Sequence, residues 1–144
     1  MHNLATQLKK IRLEKNLTQK QVAEGIDITE QSYQRYEYGR VVPSAAILIA
    51  LAQYFDVPLD YLAGNGIFAN WEDVIEYWDI ILGEVGKLKF EDGHFSNLAE
   101  LLQTYSKQVE GDKIKIGAFL STLIAKIDFD KSTDPISIKI YWKY

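Results

Sequence analysis

The chain contains no cysteine and only two histidines, His2 and His94. Without cysteine there can be no disulfide and no thiolate metal site, and a lone histidine is more often structural than a metal ligand. The sequence also shows no phosphate-cradling glycine motif and no HExxH-type constellation. We therefore predict that the chain binds no metal, uses no cofactor and is not an enzyme.

Long apolar runs are also lacking, and the first ten residues, MHNLATQLKK, have no hydrophobic signal core. Neither membrane insertion nor secretion is indicated, so a cytoplasmic location is expected. The length of 144 residues and the hydrophobic content of 47% suit one compact domain or two small ones.

An excess of positive charge is missing as well, since the formal net charge is −4. Residues 1–64 carry seven basic and seven acidic side chains, whereas residues 65–144 carry nine basic and thirteen acidic ones. The acidity therefore belongs to the C-terminal part. A neutral N-terminal part predicts weaker nucleic-acid binding and a shallower salt dependence than a basic one.

The stretch from Leu17 to Gly39 reads as two short helices joined by a tight turn. Thr18 followed by Gln21 forms a capping-box pattern, which predicts a first helix from about Lys20. Gly25 weakens that helix where the turn is needed, and Thr29 can cap a second helix that ends near Gly39. Such a short pair needs a supporting bundle and leaves one polar helix face exposed.

Around this pair, a series of residues occurs in a fixed order: Thr18-Gln19, Ala23, Thr29, Tyr36-Glu37-x-Gly39, Pro43, Leu51-Ala52, Val57 and Leu59-Asp60-Tyr61-Leu62. In these residues the sequence resembles, over residues 4–64, the helix-turn-helix domain of Cro/repressor-like (XRE-type) transcription regulators. The resemblance implies a five-helix, lambda-repressor-like domain, and the predicted helices at Leu4–Lys15, Ala45–Phe55 and Pro58–Leu62 complete that number.

The same resemblance makes the helix Glu30–Tyr38 the recognition helix, whose N-terminal part enters the major groove of DNA. It places Glu30, Gln31 and Arg35 toward the bases, with Gln34 on the rim. Gln19 matches a phosphate-clamping position, and further backbone contacts are expected from Lys20, Arg40 and Ser44. The alternative is that all eight are ordinary solvated side chains.

The resemblance implies one further feature, and the sequence departs from the family in two others. Arg12 and Glu37 match a buried ion pair that joins the first helix to the end of the third. Tyr33 stands where the family has a small aliphatic residue, so it is either buried with its hydroxyl reaching outward or part of the DNA face. Glu24 and Glu30 place negative charge near the expected phosphates, which lowers the expected affinity.

Gly64-Asn65-Gly66 marks a boundary, and we predict a linker at residues 65–70 followed by a C-terminal domain at 71–144. This domain is expected to be mostly helical and to end in a short strand, Ile136–Trp142. Its predicted helices are Asn70–Gly86, with Asn70 as the N-terminal cap, Phe95–Val109 and Ile116–Ile127, with a short strand at Lys87–Phe90. The terminal strand must pair either with Leu88–Phe90 or with a second subunit.

The predicted function is a sequence-specific regulator of transcription, a repressor that binds double-stranded DNA at a palindromic operator. It would act as a homodimer joined through the C-terminal domain, because exposed tryptophans at 71, 78 and 142 would be unfavourable. That domain could also receive a peptide or protein effector. The alternative is a protein-interaction adaptor of antitoxin or anti-repressor type that kept the helix-turn-helix fold.

Overall fold

The computed structural model describes residues 2–87 and 98–143, with side chains from residues 4 and 100 onward in these two ranges. It divides into two compact units, Met1–Asn65 and Gly66–Tyr144. Predictions for Leu88–Phe90 and for a helix start at Phe95 lie outside the described residues. Within the described ranges, no helix combines the length and the apolar character that crossing a membrane requires.

The first unit is a five-helix bundle, which confirms the predicted fold of the N-terminal part. The helices are α1 His2–Glu14, α2 Gln19–Gly25, α3 Glu30–Glu37, α4 Ala45–Phe55 and α5 Leu59–Ala63. Helices α2 and α3 pack closely against each other, and α1 contacts both α3 and α5.

Local capping explains where these helices begin. The Thr18 hydroxyl accepts a hydrogen bond from the Gln21 amide at 3.0 Å, and the Gln21 side chain accepts one from the Thr18 amide at 2.9 Å. Thr29 and Ser44 cap α3 and α4 through their hydroxyl oxygens. Gly39, with φ of +71°, follows α3 in the left-handed conformation that glycine adopts without strain. The caps predicted at Thr18, Thr29 and Gly39 are therefore confirmed.

The core of the first unit includes the one tyrosine whose location the sequence left open. Tyr33 is fully buried, and its hydroxyl has no hydrogen-bond partner among the described residues. It does not extend the exposed face of α3. The other large, fully buried side chains of this unit are Leu8, Ile11, Leu51, Phe55 and Leu62.

The second unit has regular secondary structure from its first residue, Gly66. Residues Gly66–Asn70 form a 3₁₀ turn, followed by α6 Trp71–Glu76, α7 Trp78–Val85, α8 Leu98–Gln108 and α9 Lys113–Ser121. The unit closes with strands β1 Ile124–Asp130 and β2 Ser137–Trp142. The prediction of a mostly helical part that ends in a short strand is confirmed.

The expected linker at residues 65–70 differs from the structure. Ile67 and Phe68 are buried, and the Phe68 ring lies 5.1 Å from that of Trp71, centroid to centroid. These apolar side chains make residues 66–70 part of the second core, so the break is confined to the vicinity of Gly64 and Asn65.

The predicted helix Asn70–Gly86 is divided at Tyr77 into α6 and α7. The predicted cap at its start is wrong as well. Instead of capping α6, the Asn70 side-chain amide donates to the Ile127 carbonyl at 3.4 Å. The periodicity of Trp71, Val74, Trp78 and Ile81 reflects burial in both helices, which sequence spacing cannot distinguish from one continuous helix.

The prediction of a helix through Ile127 is also wrong, because β1 occupies Ile124–Asp130 and pairs antiparallel with β2. The register runs from Ile124 opposite Trp142 to Asp130 opposite Ser137, with an irregularity between Ile124 and Lys126. This bulge buries both Ile124 and Ile127, three residues apart, and so imitates helical spacing. The terminal strand therefore finds its partner in β1 of the same chain.

Candidate nucleic-acid interface

Helix α3 separates a buried side from an exposed polar side. Tyr33 and Glu37, four residues apart, point into the core. Gln31 and Arg35 are also four residues apart, and both are exposed, as is Glu30 at the start of the helix. Residues at this spacing share one helix face, so the folding of the inner side places Gln31 and Arg35 side by side on the outer side.

The inner side of α3 is fixed to α1 by an ion pair, which confirms the pairing that the resemblance implies. Arg12 Nε donates to Glu37 Oε2 at 2.8 Å and Arg12 Nη2 to Oε1 at 2.6 Å. The hydrogen bonds to Glu37 raise the pKa of Arg12. Burial acts to raise the pKa of Glu37, but the hydrogen bonds from Arg12 oppose it and hold that pKa below its ordinary value.

Two glutamines connect this buried pair to the surface. Gln19 Nε2 donates to Glu37 Oε1 at 3.4 Å, and Gln34 Nε2 donates to Gln19 Oε1 at 3.2 Å. A longer contact of 3.5 Å runs from Gln34 Nε2 to Glu30 Oε1. Both glutamine side chains are half-buried. The arrangement orients the Gln19 amide at the first residue of α2 and engages the Gln34 amide within the domain.

A shallow hollow of about 220 Å³ lies on the exposed side of α3. It is lined by Gln31, Gln34, Arg35, Tyr38 and Arg40. The guanidinium carbon of Arg40 lies 5.9 Å from the centroid of the Tyr38 ring, and Tyr38 is 59% exposed. The structure thus brings three predicted contact residues and the rim residue Gln34 into one group, Gln31, Gln34, Arg35 and Arg40.

Tyr38, which is not among the predicted contact residues, also belongs to this surface. The signal was present, because Gln31, Arg35 and Tyr38 follow the i, i+4, i+7 spacing of one helix face. Its exposed ring offers an apolar surface and its hydroxyl a hydrogen-bonding group at the edge of that face.

The remaining predicted contact residues differ in their surroundings. Lys20 is exposed on α2. The Ser44 hydroxyl oxygen accepts a 3.3 Å hydrogen bond from the Ile47 amide, so its first role is to cap α4, while its hydrogen remains able to donate. The assignment of Gln19, Lys20, Glu30, Gln31, Gln34, Arg35, Arg40 and Ser44 as DNA contacts stays a prediction.

Charge on this surface is locally unbalanced although the unit is formally neutral. In the part of the chain that the structure describes, Lys20, Arg35 and Arg40 form no ion pair with an acidic side chain. Arg12 and Glu37 neutralise each other below the surface. Glu24 and Glu30 are exposed on α2 and α3 and reduce the positive potential.

Five helices, a capped α2–turn–α3 pair and an exposed polar face on α3 define residues 2–65 as a helix-turn-helix domain. Residues 8–62 match the family model described as helix-turn-helix. This match confirms the XRE-type helix-turn-helix that the sequence resembles over this range.

The chain is also similar to a curated relative, the uncharacterized HTH-type transcriptional regulator YqaE of Bacillus subtilis (strain 168). The two are 44% identical over 55 residues, which are 38% of this chain and 47% of the relative. The chain thus spans about half the length of the curated relative that it matches. No solved structure matches the chain.

Proposed function

We propose that the chain is a DNA-binding regulator of transcription whose helix α3 enters the major groove. The observation that carries the proposal is the exposed pair Gln31 and Arg35, which lie one helical turn apart. Arg35 forms no ion pair with any described side chain. Side chains of this kind, held on a fixed helix, can form hydrogen bonds with the edges of DNA bases. The helix-turn-helix match over residues 8–62 supports the same reading.

The proposed base contacts follow from donor and acceptor geometry. Arg35 suits the O6 and N7 atoms of guanine, and Gln31 suits the N6 and N7 atoms of adenine. Glu30 can accept a hydrogen bond from the N4 amino group of cytosine. Because Gln34 is engaged with Gln19 and Glu30, we assign it a positioning role at the rim.

The proposed phosphate contacts are Gln19 and Lys20 at the start of α2, Arg40 after α3, and Ser44 at the cap of α4. Two of these, Lys20 and Arg40, carry charge. Neutralising two phosphates per protomer gives a slope of log K against log salt of about −1.8 per protomer. Such a slope is shallow for a DNA-binding protein, as expected for a unit without net charge.

We further propose that the protein acts in the cytoplasm as a repressor and as a homodimer on a palindromic operator, with the second unit joining the copies. The tryptophan argument weakens, because Trp71 and Trp78 are buried within their own unit. Support comes instead from the edge of β2, because β1 is its only strand partner among the described residues. A second copy could add a strand at the other edge of β2.

The experiment that tests the proposal is selection of bound duplexes from a random pool by the purified chain, at low and at physiological salt. We expect an enriched two-fold symmetric site with half-sites about 10 to 11 base pairs apart. Sedimentation of the complex should give two chains per duplex. A reporter gene placed behind that site should be expressed less when the chain is produced.

The second candidate function is a protein-interaction adaptor of antitoxin or anti-repressor type. It is favoured by the absence of net charge in residues 1–64 and by Glu24 and Glu30 near the expected phosphates. Failure to enrich any duplex at either salt, with circular dichroism showing a folded chain, would reject DNA binding in favour of this adaptor.

A further inference from the structure

The second unit contains a half-open cavity of about 760 Å³ between α7, α8 and α9. Its apolar wall includes Trp78, Leu82, Leu102 and Ile116. Trp78, Leu102 and Ile116 are otherwise buried in the unit, so the wall is an extension of the core. The volume lies within the range of pockets that hold a small organic molecule.

Gly83 forms part of the same wall and occupies the interior of α7. Glycine destabilises a helix interior relative to alanine, so it usually has a packing or functional reason there. No atom of the described residues lies within 4 Å of where its Cβ would be, so close packing within the described part of the chain does not require it. Its effect is to keep one wall of the cavity open.

Two lysines, Lys107 at the end of α8 and Lys113 at the start of α9, supply the charge of the cavity. Neither forms an ion pair with an acidic side chain in residues 2–87 or 98–143. Lys113 Nζ lies 5.9 Å from the centroid of the Trp78 ring. The cavity therefore combines an apolar floor with two lysines that no acidic side chain of the described residues pairs.

Two acidic side chains that adjoin lining residues in sequence, Asp112 and Glu84, are engaged elsewhere. Asp112 Oδ1 accepts hydrogen bonds from the Ile114 and Lys115 amides at 3.0 and 3.2 Å, as the cap of α9. Glu84 pairs with Lys87 at 2.8 Å. Ser106 and Gln103 also line the cavity and can donate hydrogen bonds.

We propose that this cavity binds a small amphipathic carboxylate, one molecule per chain. The apolar body of the ligand lies against Trp78, Leu82 and Leu102, and its carboxylate lies at Lys107 and Lys113. An uncharged or cationic ligand of the same shape leaves the two lysines without a counter-charge. This site does not depend on DNA binding, because it lies entirely within residues 66–144 and is tested without DNA.

The first test is isothermal titration calorimetry of the full chain with decanoate and with decyltrimethylammonium, both below their micelle concentrations. The two probes carry alkyl chains of similar length and head groups of opposite charge. We expect decanoate to bind with a stoichiometry near one and the cation to bind much more weakly. Equal affinity for both probes, or no saturable binding of decanoate, would overturn the proposal.

The second test uses variants of the cavity. Lys107→Met and Lys113→Met should each weaken decanoate binding about two- to fivefold, the effect of losing one exposed ion pair. Lys115→Met is the matched control, because Lys115 is an exposed residue of α9 that is absent from the cavity lining. The affinity of this variant for decanoate should equal that of the parent. If the control variant loses as much affinity for decanoate as the other two, the assigned head-group site is contradicted.

Gly83→Leu tests the apolar part independently of charge. Leucine favours helix more than glycine and would project into the cavity, so the variant should fold and lose saturable decanoate binding. Circular dichroism checks the fold. Parent-like binding by the folded variant would show that the ligand does not occupy this cavity, and the two lysine variants decide the question if the leucine variant does not fold.

Discussion

Both carboxylate oxygens of Glu37 accept hydrogen bonds from Arg12, 25 residues earlier in the chain, at 2.8 and 2.6 Å. The Glu37 side chain is 1% exposed and that of Arg12 is 11% exposed. A third hydrogen bond joins Arg12 Nη1 to the Leu17 carbonyl at 2.9 Å. One guanidinium thus ties α1, the start of the turn before α2, and the last residue of α3.

Replacing Arg12 with methionine should destabilise the first unit by about 3 to 5 kcal/mol, because Glu37 would remain buried without its partner. All three tryptophans lie in the second unit, so their fluorescence does not report on this loss. Amide hydrogen exchange in α1 and α3 reports the destabilisation, since it measures the free energy of local opening. Lys15→Met, at an exposed position after α1, is the control.

The double variant Arg12→Met/Glu37→Leu separates the ion pair from the packing around it. Removing both charges leaves no uncompensated buried carboxylate, so the double variant should exchange more slowly than Arg12→Met alone. Equal protection in the two variants would mean that Glu37 is not the source of the destabilisation.

The pH dependence of the first unit should follow the same carboxylate. The pKa of Glu37 is lowered from its ordinary value of 4.5, so its ionised form stabilises the fold above pH 4.5. That contribution is lost as pH falls through the lower pKa of the folded state. Glu37→Gln should therefore be less stable than the parent at pH 7, and the difference should shrink below pH 4.5. A constant difference down to pH 2 would contradict the ion-pair account.

Two glycines of the second unit should respond oppositely to alanine. A Cβ on buried Gly117 would lie 2.8 Å from Trp71 Cζ3, so Gly117→Ala should destabilise the unit by about 1 to 3 kcal/mol. Gly83→Ala meets no described atom and should stabilise it by up to about 1 kcal/mol. Urea unfolding followed by tryptophan fluorescence measures both. A neutral Gly117→Ala would show that α9 is not held against Trp71 as described.

The salt dependence of DNA binding should report the phosphate contacts. Lys20→Ala should weaken binding to all duplexes evenly and reduce the slope of log K against log salt by about 0.9, one released counterion contact. Arg40→Ala should behave in the same way. Titrations at four or more salt concentrations measure the slope. A parent-like slope would show that the altered residue does not contact the DNA backbone.

The first unit was predictable because its helix boundaries are set by neighbours in sequence. Thr18 with Gln21, Thr29 with Ser32 and Ser44 with Ile47 each cap a helix over three residues. Local chemistry of this kind can be read directly from the chain. The ion pair of Arg12 and Glu37 spans 25 residues and came from the resemblance rather than from any local pattern.

The second unit was predicted less well because long-range pairing decides its structure. Ile124 and Ile127 have helical spacing, yet a bulge and the pairing with β2 make them residues of a strand. Ile67 and Phe68 follow a glycine-rich break, yet they are buried. Nothing within a few residues of these positions carries that information, since burial and pairing depend on distant segments.

In the candidate site, too, some features follow from the local sequence and others depend on long-range packing. The exposed positions of Gln31 and Arg35 follow from helix periodicity. The engagement of Gln34 with Gln19 depends on how α2 packs against α3, so its positioning role could be recognised only in the structure. Tyr38 was missed although its spacing from Arg35 indicates the same face.

The most direct test of the proposed docking face uses the duplex selected by the parent chain and every single-base variant of it. The affinities of the parent, Arg35→Ala and Gln31→Ala are compared across this set. We expect Arg35→Ala to lose about 1 to 3 kcal/mol of discrimination at one guanine position and its symmetry mate, with the other positions unchanged. Gln31→Ala should do the same at an adenine. Unchanged discrimination at every position in both variants would show that α3 does not read the DNA.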